Sequence, residues 1–145
     1  MSFDQHTWVV TADTTTCRIY ASKVKHHDLT LVKEMVHPQS KLKDIELTSG
    51  KAGHTEHGTY TQQSDPKEIE IDSFARTIAD ALDDGRNMHA YEKLIVVAPP
   101  HMNGLLLHHT NKHVTNLVIH NFKSDVMHFS NKELYDFLDK NLRPH

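Results

Sequence analysis

The chain has 145 residues, enough for one domain with its own core, and its 16 Lys and Arg against 19 Asp and Glu leave a formal net charge of −3, which excludes a globally basic nucleic-acid binder. A single cysteine excludes an internal disulfide framework and points to a reducing, cytoplasmic setting. The chain opens without a signal-peptide pattern, and no apolar run approaches the roughly 18 residues of a membrane span, so neither a secretory leader nor membrane insertion is expected.

In chain order, residues 7–12 and 17–21 read as two strands joined by the polar turn Asp13, Thr14, Thr15, Thr16. Residues 29–36 carry apolar side chains at 29, 31, 32, 35 and 36, a spacing that also suits a helix, but the meander and the breaker pair His37-Pro38 favour a third strand. Residues 42–47 are a short edge-strand candidate. From about 48 to 65 apolar residues almost vanish and Gly50, Gly53 and Gly58 appear among polar ones, which reads as a long mobile loop. Asp65-Pro66 then gives an N-cap and first residue for the main helix, whose apolar face is Ile71, Phe74, Ala75, Ile78, Ala81 and Leu82; Gly85 or the region of Asn87 is expected to end it.

Residues 93–98 are apolar from Leu94 onward, as in a strand covered on both faces, and Pro99 and Pro100 stop it. A second helix is expected over 104–114 and another strand over 116–122. Ser130 three residues before Glu133 resembles a capping box that opens a terminal helix burying Leu134, Phe137, Leu138 and Leu142. Early meander followed by alternating helix and strand predicts one α/β domain over 1–145, a mixed sheet with helices packed on it.

Candidate chemistry starts with the glycine-containing loop. Lys51 follows Gly50 directly and no helix comes next, so the phosphate-loop pattern fails. Histidine is abundant, at 14 residues. A metal reading would use His54 and His57 on the loop with His109 and His113, spaced i, i+4 on the expected second helix, to hold zinc or another transition metal; a solvated helix face is the competing reading. No nucleophile elbow is present, and Cys17, in an apolar strand, reads as a buried thiol. Asp13 reads as a turn cap. An anion-binding surface would draw on Lys23, Lys25, Lys41, Lys43, Gly50, Lys51, Gly53 and Arg76, with Arg86 further along the helix; dispersed solubilising charge competes with it. Trp8 and Phe74 belong to apolar patterns and are expected in the core. On the residues alone the expectation leans to no cofactor and no catalysis, with a His-rich metal-binding protein or metal-dependent enzyme as the alternative.

Three stretches carry a family resemblance: Trp8, Val9, Val10, Thr11, Ala12 and Asp13; His37-Pro38 followed by Glu46-Leu47; and 74–104, from Phe74-Ala75-Arg76 to Ala98-Pro99-Pro100-His101-Met102-Asn103-Gly104. Together they resemble the bacterial host attachment protein family, small proteins named for a proposed role in attachment to host cells. That family is similar to the central domain of archaeal and eukaryotic class-1 peptide-chain release factors, so the resemblance implies a release-factor-like α/β fold and a connection with ribosomes or RNA. The catalytic Gly-Gly-Gln of release factors is missing, since Gln62-Gln63 has no glycines before it. What the resemblance implies is therefore a binding or translation-associated module without peptidyl-tRNA hydrolysis.

Overall fold

The computed structural model describes residues 6–23, 28–37 and 65–142. β1 (Thr7–Ala12), β2 (Thr16–Lys23) and β3 (Asp28–Val36) form an antiparallel meander, while β4 (Lys93–Val97) runs parallel to β1 and β5 (Val118–Phe122) parallel to β4. The resulting five-stranded mixed sheet has the order β3-β2-β1-β4-β5. The expected edge strand at 42–47 and the loop at about 48–65 lie outside the described residues, apart from Asp65.

All residues of β1 are buried, as are the last four of β4, which is what continuous apolar runs in central strands require. The turn between β1 and β2 is organised by Asp13, whose Oδ1 accepts from Thr15 N at 2.8 Å and Thr16 N at 2.9 Å. β3 is a strand despite its helix-like spacing, and its pairing explains the spacing. Tyr20 pairs with Leu31 and Ile19 with Lys33, so Val32 is an extra, bulged residue. The bulge switches the side-chain alternation at that point and breaks the period of two.

Helix α1 (Pro66–Asn87) begins where the sequence indicates: Asp65 caps Lys67 N at 3.0 Å and Pro66 holds the first position, where no N–H is needed. Gly85 does not end it. That glycine is buried within the last turn, and a Cβ there would lie 2.7 Å from ring atoms of Trp8, so its role is close approach. The helix ends at Asn87, and His89, four residues after Gly85, takes a positive φ of 58.

Helix α2 (Pro100–His109) starts four residues before the expected Gly104. The prolines that stop β4 also open the helix, since Pro100 can sit in a first turn, and Asn103 N already donates to Pro99 O at 2.8 Å. The expected single helix over 104–114 is in fact two. Thr110 is extended, with ψ 143, and Asn111 caps a new short helix, α3 (Lys112–Thr115), by accepting from Val114 N at 2.9 Å. Helix α4 (Asn131–Leu142) opens with the predicted capping box: Glu133 N donates to Ser130 Oγ at 3.1 Å and Ser130 N to Glu133 Oε1 at 2.7 Å.

Helices cover both faces of the sheet. On one, Val10 and Val96 pack with Phe74, Ile78 and Leu82 of α1 and with Met102 and Leu106 of α2; on the other, Val9, Ile95 and Val97 pack with Leu134 and Leu138 of α4. Neighbouring residues of one strand thus feed opposite layers, the geometry of a central strand. Trp8 belongs to the first layer, stacked on Tyr91 with ring centroids 4.7 Å apart. No described helix is long and apolar enough to cross a membrane.

Candidate functional site

The parallel strands β1, β4 and β5 end along one edge of the sheet, where open α/β sheets carry their binding loops. The β1–β2 turn, the start of α1 and the Pro99-Pro100 corner lie there. Behind the corner Asn103 is buried, at 1% exposure. Its Nδ2 donates to Asn121 Oδ1 at 2.6 Å and lies 3.2 Å from both Ala98 O and Phe122 O, while Asn121 Nδ2 donates back to Asn103 Oδ1 at 2.9 Å. This amide pair fixes the first turn of α2 to the ends of β4 and β5. Asn103 is not among the residues expected from the sequence to carry a role. Its signal was present: an amide beside Met102 and three before Leu106, all three buried on α2.

Along the flank of α1 that meets α2 and α3, carboxylates and their partners form a row. Glu68 Oε1 is 2.9 Å from His101 Nε2, Asp72 Oδ1 is 2.7 Å from His109 Nε2, and Asp83 Oδ1 accepts from Asn111 Nδ2 and Arg86 Nε, each at 2.9 Å. The hydrogen bond from His109 holds the Asp72 carboxyl below the usual carboxylate range, with Arg76 a lesser contributor at 4.0 Å. Asp83 is likewise lowered, first by Asn111 and then by Arg86. His109 is the most enclosed partner, its side chain 11% exposed, and the His108 ring stands edge-on to it at 5.1 Å.

The opposite flank of α1 borders a groove of about 280 Å³, formed by Met35, Val36 and His37 at the end of β3 and by Glu70, Ser73, Phe74 and Thr77. His37 is buried, stacked almost parallel on Phe74 at 5.0 Å, with Nδ1 3.1 Å from Thr14 O. It joins the β1–β2 turn to α1. Cys17 is fully buried, and burial pushes its thiol up to about 12, with Asp13 adding to the effect; a thiolate nucleophile is not formed near neutrality.

Few of the candidate residues come together. His109 and His113 do not share a helical face, because the Thr110–Asn111 break puts them on separate helices, and His109 is bonded to Asp72. Among the described residues no group of three or more His, Cys, Asp or Glu could hold a metal ion. His54 and His57 lie outside the described residues, as do Lys25, Lys41, Lys43, Gly50, Lys51 and Gly53. Lys23 closes β2. Arg76 is 64% exposed on α1, whereas Arg86 is drawn to Asp83.

A family model described as "Protein required for attachment to host cells" matches residues 8–138, from Trp8 in β1 to Leu138 in α4. The chain belongs to the host-attachment family. No curated protein matches it. Among solved structures, an archaeal protein superposes with a TM-score of 0.50 at 10% identity, over 92% of this chain and 33% of that one. The host-attachment chain thus spans about a third of that protein's length, and the likeness is one of fold.

Proposed function

We infer that this member of the host-attachment family is a binding module without catalysis of its own, and that its partner class is the ribosome or RNA. The observation that carries the first part is the pairing along α1. His101 and His109 each have Nε2 engaged by a carboxylate of the neighbouring helix, so they act as bridges in the fold. Family membership, with its description naming attachment to host cells, supports a binding role in the same direction. The partner class rests on the release-factor resemblance and on Arg76, whose exposed guanidinium stands 4.0 Å from Asp72 and is open to a phosphate.

The test is co-sedimentation of the untagged protein with bacterial ribosomes across a salt series, with chelator present throughout. The expected result is association that weakens steadily with salt and drops when Arg76 becomes Ala. Pelleting that is absent at low salt would overturn the ribosome reading. Association that appears only in a parallel series without chelator would instead favour a metal-dependent protein.

A further inference from the structure

The row of bridges between α1 and α2 has a chemistry of its own, separate from any ligand. Both helices lie on the same face of the sheet, and the two imidazole–carboxylate bridges cross between them, 2.9 Å for Glu68–His101 and 2.7 Å for Asp72–His109. In each, one partner is a carboxylate, ionised above about pH 4, and the other an imidazole, the side chain that changes charge between about pH 5 and 8. We propose that this seam is a pH-dependent clamp, in which protonation of His101 and His109 turns two neutral-donor hydrogen bonds into ion pairs and fastens α2 to α1 under mildly acidic conditions.

Around His109, Asp72 is the nearest charge; Arg76 on α1 is the other charged group on that side, with a guanidinium that is 64% exposed and therefore screened. The His108 ring stands 5.1 Å from that of His109 and is the nearest second imidazole. His101 faces Glu68, and both are about half exposed, so this bridge is the weaker of the two. On α3, exposed Lys112 and His113 lie toward the far end of the seam, where Asp83 is already held by Asn111 and Arg86. The His109–Asp72 bond is short, at 2.7 Å, with the imidazole 11% exposed and the carboxylate 38% exposed, and a proton on the ring makes it an ion pair. The clamp does not depend on the identity of the partner proposed above.

A double-mutant cycle tests it. Urea unfolding of the wild type, Asp72→Asn, His109→Gln and the double variant is measured at pH 6.0 and 8.0 with chelator present. The expected result is a coupling between the two positions worth about two- to fivefold in the folding equilibrium constant at pH 6.0, falling at pH 8.0 to the smaller value of the neutral-donor hydrogen bond alone. A coupling equal at both pH values, or absent at pH 6.0, overturns the proposal. A second readout needs no unfolding. In an NMR titration of side-chain carboxyl groups, the Asp72 midpoint should move up in His109→Gln; a midpoint that stays in place also overturns it.

Discussion

Gly85 shows how one missing side chain sets the distance between two elements. Alanine in place of a helical glycine ordinarily stabilises by about 1 kcal/mol. Here the added Cβ would sit 2.7 Å from two ring carbons of Trp8 and 3.2 Å from Tyr91, whose hydroxyl is itself anchored 2.6 Å from Leu82 O. Neither ring can step aside without disturbing the core. Overpacking of this kind costs about 1–3 kcal/mol, so steric conflict outweighs propensity, and Gly85→Ala should lower the urea midpoint. The opposite sign is expected three residues after Arg86. His89 holds φ at 58, a conformation that glycine adopts without strain, and it lets Ala90 N reach Gly85 O at 2.8 Å. His89→Gly should raise thermal stability by about 0.5 kcal/mol, a shift of about 1–2 °C in the melting temperature.

At the scale of elements, the join between α2 and the sheet depends on Asn103. Replacing it by Ala removes the donor shared by Ala98 O, Phe122 O and Asn121 Oδ1; Phe122 O keeps Ala98 N at 3.0 Å, but Ala98 O loses this donor, and a buried carbonyl short of a partner costs about 1–3 kcal/mol. Asn103→Ala should therefore be markedly less stable to urea, while Asn121→Ala, at an exposed position, should cost less. The order of these two midpoints is the check. These elements also show where sequence is informative. The buried runs of β1 and β4, the Asp65-Pro66 start of α1 and the Ser130–Glu133 box are local signals, complete within a few residues, and each is found as read. The signals that misled were local as well, but double-valued: Pro99-Pro100 both stops a strand and starts a helix, and Asn111 inside an apparent helix is the cap of the next one. The partners of the histidines were illegible for a different reason. His109 meets Asp72 across 37 positions of chain, and only the packing of α2 on α1 brings them together.

Over the whole molecule, the same row of bridges makes stability sensitive to acid. With 14 histidines and a formal charge of −3, the protein gains positive charge rapidly as the pH falls, and carboxylates held below their usual range determine how long the fold resists. Asp83 is such a group, lowered first by the Asn111 amide and then by Arg86, and it ties α1 to the start of α3. Because its folded value lies below its unfolded value, the folded state binds the proton more weakly. Its stabilising contribution is present in full above the unfolded carboxylate range, near pH 4, and disappears as the pH falls through the folded value. Asp83→Asn cannot ionise and lacks this contribution at every pH. Urea midpoints of the wild type and Asp83→Asn should accordingly differ near pH 6, with the wild type higher, and the gap should narrow progressively below about pH 4. A gap that keeps its size down to the lowest pH at which both variants fold would mean that the Asp83 charge adds nothing, and that shape and hydrogen bonding alone hold α3 in place.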